Sequence, residues 1–202
     1  MALAAAQTTR ERLVAAAIEV FRRDGYERAR VQDIAREAGL TTGAIYANYR
    51  GKAELLAEAI GERTERELEA LLRDGGLTSS VEILALLGDR LLTREGDRPL
   101  ILEAVVASAR DPELATMLRA RVADRESRFA ALVERGKRNG EIDDTIETAI
   151  FARFCVMVAF GAVVMRTLDV PAGEPEAWHS FIGLLLSATA PAQPPAASGD
   201  HS

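Results

Sequence analysis

The residues of this chain that could do chemistry crowd into one short stretch. Thr42, Gly43, Tyr46, Ala47 and Asn48 combine a hydroxyl, a bare backbone, a phenol and an amide at helical spacing. Such a set can touch base edges and phosphates in a DNA groove, because each group is polar or aromatic with little bulk around it. Gly43 would let a backbone come close to DNA. Asn48 has two readings, a base or phosphate contact and a locally bonded residue at a helix end. Tyr46 and Tyr49 also have two, groove contact and core, with Tyr49 on the same inward face as Ile45.

Short helices must hold this set. Val31, Ile34, Ala35 and Ala38 form an apolar stripe that stops at Gly39, and Thr41 is a natural cap for a second helix carrying Ile45 and Tyr49. Two short helices joined at Gly39-Leu40-Thr41, behind a longer helix, have the spacing of a helix-turn-helix over about residues 30–49. Ala35 and Gly39 supply the small residues at the crossing, and Ile34, Leu40 and Ile45 the apolar fixings. The longer helix begins at the capping box Thr8-Thr9-Arg10-Glu11, presents Leu13, Ala16, Ala17, Val20 and Phe21 on one face, and stops at Gly25. A fourth helix opens at Gly51-Lys52 with Leu55, Leu56, Ala59 and Ile60.

Nowhere does the chain alternate apolar and polar residues as a strand does, so the fold class is all-α, with about nine helices. Beyond the first four, helices are expected over about Ser79–Arg94, Arg98–Ala109, Pro112–Arg138, Thr145–Leu168 and Glu174–Thr189. Asp111-Pro112-Glu113 is a helix start with Asp as N-cap and Pro in the first turn. The domains expected are a disordered leader over 1–7, a DNA-binding head over 8–62, a helical body over 63–190, and a disordered tail over 191–202 rich in Pro, Ala and Ser.

Charge divides along the same line. The whole chain has 25 basic and 31 acidic residues, a net charge of −6. Residues 1–56 hold nine basic against seven acidic, a net of +2, and the remainder is at −8. A mildly basic head on an acidic body implies two tasks in one chain. The longest charge-free apolar run of the last third, Phe154 to Met165, is short of the roughly 18 residues of a spanning helix. The leader lacks a basic segment, so neither secretion nor a membrane partner is expected, and the cytoplasm is the expected location. One cysteine, Cys155, and two histidines, His179 and His201, provide no disulfide and no thiolate metal site. No catalytic group, metal or cofactor is expected: the chain has no Gly-rich phosphate loop and no plausible Ser/His/Asp or Cys/His set.

Residues 8–60 resemble the DNA-binding head of the TetR family of bacterial transcriptional regulators. The resemblance rests on Ala16, Phe21, Gly25, Tyr26, Val31, Asp33-Ile34-Ala35, Ala38-Gly39-Leu40, Gly43, Ile45-Tyr46, Tyr49, Lys52 and Leu55-Leu56. It implies a helix-turn-helix whose second helix enters the major groove of double-stranded DNA, placing Thr41, Thr42, Gly43, Tyr46, Asn48 and Tyr49 at bases or nearby phosphates. It also implies phosphate contacts from Lys52, Thr9, Arg10, Arg30 and Gln32. Arg30 and Thr42 depart from the Thr or Ser and the Lys or Arg that the family often has at those positions.

For the body, the resemblance implies a homodimer through the last two helices and a small-molecule pocket. The sequence agrees on the first count, since the Thr145–Leu168 helix is apolar on two faces and needs two partners. Glu103, Met117, Phe129, Arg153, Phe154, Met157 and Phe160 are candidates for the ligand. For the charged ones the competing reading is a side-chain partner, and for the apolar ones plain core. The function expected is a repressor that binds a palindromic operator as a dimer and is released by an inducer. The alternative is a dimeric DNA-binding regulator without a small-molecule ligand, controlled by a protein partner or by abundance.

Overall fold

The computed structural model describes residues 2–61, 79–93, 100–171 and 173–191. These form α1 (Ala2–Arg28), α2 (Val31–Glu37), α3 (Thr42–Tyr46), α4 (52–61), α5 (Ser80–Thr93), α6 (Leu100–Ser108), α7 (Pro112–Arg138), α8 (Thr148–Thr167) and α9 (Pro175–Ser187). Among the described residues there is no strand, as the absence of period-two patterning requires. The boundary expected at residue 62 and the tail over 192–202 lie outside the described residues.

The start signals have identifiable partners. The Thr41 hydroxyl accepts from the Ala44 N–H and opens α3, and an Asp111 carboxylate oxygen accepts from the Leu114 N–H at 3.0 Å and opens α7. One signal does not act as read. α1 begins at Ala2, so the leader expected over residues 1–7 is helical from Ala2 onward and Thr8 lies inside the helix. The run Ala4-Ala5-Ala6 explains this, since Ala has the highest helix propensity of any residue.

The chain divides into two compact units, one made of residues 1–76, 94–125 and 163–170, the other of 77–93, 126–162 and 171–202. In the first, α1, α2 and α3 close on Leu13, Ala17, Val20, Phe21, Ile34 and Ile45, and the core extends to Leu55 and Leu56 of α4, Ala104 of α6 and Leu114 of α7. Gly25, at φ +76°, breaks the α1 ladder, and only glycine takes that conformation without strain. In the second unit, Leu84, Val133, Ile142, Ile182 and Leu186 form a smaller core, with Phe129, Phe151, Cys155 and Trp178 half-buried around it.

α8 differs from expectation. Its 20 residues carry two charges, Arg153 and Arg166, and by length and composition it could cross a membrane. Counting only the uncharged run missed this, because a span tolerates a charge near its ends.

Candidate nucleic-acid interface

α2 and α3 meet through a turn that the rest of the head holds in shape. Arg12 of α1 donates from Nη2 to the Ala38 carbonyl at 2.7 Å, satisfying an oxygen that the end of α2 leaves unpaired. Gly39 then takes φ +62°, and a β-carbon there would come 3.3 Å from Arg12 Nη2. Sequence reading missed Arg12, since its partner is 26 residues away and no local pattern announces it. Glu54 was missed too: it accepts from the Arg50 N–H at 2.6 Å and caps the entry to α4.

On α3, Ile45 is fully buried, while Thr42, Gly43, Tyr46 and Ala47 face outward, with Tyr46 62% exposed. A β-carbon on Gly43 would meet only the Thr41 hydroxyl, at 3.6 Å. Nothing inside the protein therefore requires a glycine there. Arg30 and Gln32 are exposed at the start of α2, where Arg30 stands in the N-cap position without a side-chain cap.

Other expected contacts turn inward. Tyr49 is buried at 3% exposure, and its ring belongs to the core beneath α3 rather than to the groove face. Arg10 lies 5.0 Å from the centre of that ring and pairs with Glu58 at 3.3 Å; Tyr49 first, then Glu58, hold its guanidinium in the charged form. Thr9 is half-buried on α1. Asn48 donates to the Ala44 carbonyl at 2.8 Å, so its amide donor closes the end of α3. Lys52 donates to the carbonyls of Tyr26 and Glu27 at 2.9 and 3.3 Å and sits 4.4 Å from the Tyr26 ring centre. It closes the C-terminal end of α1, where a cation is favoured, instead of pointing at solvent.

Tyr26 is the hub of the first unit. Its N–H, freed by the break at Gly25, donates to Glu103 Oε1 of α6 at 2.7 Å, and its hydroxyl donates to Asp111 Oδ2 at 2.7 Å. Burial raises the phenol pKa, with the Asp111 bond adding to it. The Asp111 carboxyl falls below its usual value because the Leu114 N–H and then the Tyr26 hydroxyl bond its charged form. Glu103, expected as a ligand residue, is thus committed to the backbone of α1.

The remaining ligand candidates do not converge. Arg153 is held by both oxygens of Glu126, at 2.7 and 3.1 Å. Met117 packs against the first core and Phe129 against the second. Phe154, Met157 and Phe160 are exposed instead of lining a cavity. A concavity bounded by Tyr26, Glu27, Lys52, Arg110, Asp111 and Pro112 includes none of the seven. Burial pushes the half-buried Cys155 thiol, packed against the second core, up to about 11. Among the described residues no group of His, Cys, Asp and Glu could hold a metal.

A broken long helix, two short helices across a glycine turn and a polar outer face define a helix-turn-helix DNA-binding head. Comparison with known proteins agrees along most of the chain. Residues 13–59 match the family described as "Bacterial regulatory proteins, tetR family", and residues 74–179 match "Tetracyclin repressor-like, C-terminal domain". The chain belongs to the TetR family of transcriptional regulators. It is 26% identical over 191 residues to the HTH-type transcriptional regulator UidR of Escherichia coli K12, an alignment covering 91% of this chain and 96% of that one. A putative TetR-family regulator from Rhodococcus sp. has the same fold at a TM-score of 0.72 and 19% identity, over 90% of this chain and 98% of the other. FadR from Bacillus subtilis, solved with stearoyl-CoA, superposes at 0.62 and 19% identity, over 89% of this chain and 98% of that one.

Proposed function

We propose that the chain is a cytoplasmic repressor which binds a palindromic operator as a homodimer and leaves it when a small molecule binds. In this reading residues 8–62 are the DNA-reading head and residues 63–190 the effector and dimer body. The observation that carries it is the outer face of α3, where Gly43 is exposed with room for a β-carbon and Tyr46 is mostly exposed. A glycine with no internal reason is explained by a close external partner, and a groove wall is such a partner. Arg30 and Gln32 flank that face as phosphate contacts.

Dimerisation is supported by the apolar surface that the second unit leaves uncovered. Ile150, Phe154 and Met157 on α8 and Phe181, Leu184 and Leu185 on α9 are all exposed. A second copy covering these rows would keep them from water and set two heads about one DNA turn apart, roughly 34–36 Å. Response to a ligand is supported by the FadR relative, which was solved with stearoyl-CoA. The ligand must bind the two conformations of the dimer unequally, typically by about 1–3 kcal/mol, to move the operator equilibrium.

The test is a fluorescence-anisotropy titration of the purified protein against DNA upstream of its own gene, at two salt concentrations. Salt-dependent binding that survives competitor DNA supports the reading. A protein whose binding to both that DNA and duplexes selected from a random pool vanishes with competitor is not an operator-binding regulator.

A further inference from the structure

Resting on α3 being the element that enters the groove, we infer that this head reads its operator through the methyl groups of thymine and not through a two-bond fork on guanine or adenine. Base edges in the major groove are read in three main ways: Arg or Lys forked onto guanine, Asn or Gln forked onto adenine, and apolar contact with the thymine C5-methyl. α3 and the two residues after it, Ala47 and Asn48, contain no Arg, Lys or Gln. Their single amide, on Asn48, gives one of its two N–H donors to the Ala44 carbonyl at 2.8 Å, which turns a half-buried side chain back along α3. Three neighbouring cations have partners of their own. Arg36 pairs with Asp33, Arg50 bonds Glu54 at 3.4 Å, and Lys52 closes the end of α1.

What α3 does present is carbon. Thr42 and Tyr46, four residues apart, share one helical face and contribute a methyl and a ring, and Ala47 adds a second methyl beside them. All three are exposed. Gly43 lies within the same patch, and a β-carbon there would touch only the Thr41 hydroxyl, at 3.6 Å. A residue without a side chain between the Thr42 methyl and the Tyr46 ring lets the helix sit deep enough for its carbons to touch the thymine methyls. The Thr42 and Tyr46 hydroxyls add single hydrogen bonds to phosphates or base edges, which by themselves do not specify a base. The operator half-site expected therefore has thymines at the positions facing Thr42 and Tyr46.

The experiment uses the full chain. A duplex is first selected from a random-sequence pool, then remade with deoxyuridine in place of single thymidines, which removes one methyl and keeps every hydrogen bond. Copies with 7-deazaguanine, which lacks the N7 acceptor, are made in parallel. At one or two positions per half-site, deoxyuridine should weaken binding about fourfold per methyl, the worth of one buried methyl-sized group. Thr42→Ser keeps the hydroxyl and removes the methyl, so at its own position this variant should bind thymidine and deoxyuridine alike; Tyr46→Ala should do so at a second. Deoxyuridine copies that bind like the parent while deazaguanine copies weaken would overturn the inference and leave operator binding intact. A deoxyuridine penalty unchanged in both variants would assign the effect to DNA shape and overturn it equally. A pool that enriches no sequence would remove the operator-binding reading itself, and this inference with it.

Discussion

The two compact units contain similar helices but close their cores to different degrees. Among the described residues, 22 buried side chains form one cluster in the first unit, while the second has five. Directed bonds tie helices in both: Arg12 to the end of α2, Lys52 to the end of α1, and Glu103 and Asp111 to Tyr26 in the first, and Arg135 to Ser80 and Trp178 to the Gly88 carbonyl in the second. The second leaves aromatic and aliphatic rows of α8 and α9 facing outward. The contrast follows from what each has to do. In the proposed reading, a surface that reads DNA must keep its geometry alone, whereas a surface that pairs with a second copy is completed only by assembly.

The contrast can be tested by perturbing each side. Phe21→Ala empties the middle of the first core, where the ring is fully buried. It should cost about 3–5 kcal/mol in urea unfolding, whereas Leu186→Ala, at the edge of the thinner core, should cost about 2. Equal losses would erase the distinction. Leu184→Arg puts a charge on a side chain that is 66% exposed, so the unfolding of the dilute chain should hardly change. The same variant should weaken self-association by about 30-fold or more if Leu184 is central to the interface, as sedimentation would reveal.

Gly25→Ala is expected to cost about 1–3 kcal/mol through backbone strain at φ +76°. Its β-carbon would also stand 2.6 Å from Glu103 Oε1 and push that carboxylate off the Tyr26 amide, so it should lower Tm more than Gly140→Ala, whose surroundings are open. The smallest effect is that of acid. Asp111 in the first unit falls below its ordinary 3.8, and Glu141 in the second falls below 4.5 because bonds from Asn139, Ser80, Ser79 and Val81 together outweigh the burial that opposes its charge. A lowered folded pKa means that the folded state binds fewer protons, so this stability is whole above the ordinary values and is lost as pH falls through the lower folded ones. Urea unfolding between about pH 5 and pH 3 should show the loss, and Asp111→Asn should flatten its share of the slope.

Much of the fold was legible because its signals are local. Thr41 and Asp111 cap where their side chains predict, Gly25 and Gly39 turn the chain where a positive φ is needed, and Ile34 and Ile45 face the core as their spacing requires. The site was legible only in part. Tyr46 and Tyr49 differ in burial from 62% to 3%, although both are aromatic residues of one short segment. Only the four-residue spacing that puts Tyr49 on the face of Ile45 separates them. Lys52 was read as a phosphate contact, and Glu103 and Arg153 as either ligand contacts or paired side chains; each finds a partner 25 to 77 residues away. Pairings at that range depend on how helices pack, which residue type and spacing do not encode. α8 adds a third kind of difficulty, since an apolar helix reads alike whether lipid, its own core or a second chain covers it.

The bond from the Tyr26 amide to Glu103 has a consequence for solvent exchange. A helix broken at a glycine ordinarily leaves its next amide proton open to water, to be replaced by deuterium about as fast as in a loop. Here that proton is held by a carboxylate 77 residues further along the chain. It can be replaced only when the α6 side chain departs, so the deuterium uptake of one amide would time how often α6 lets go of α1.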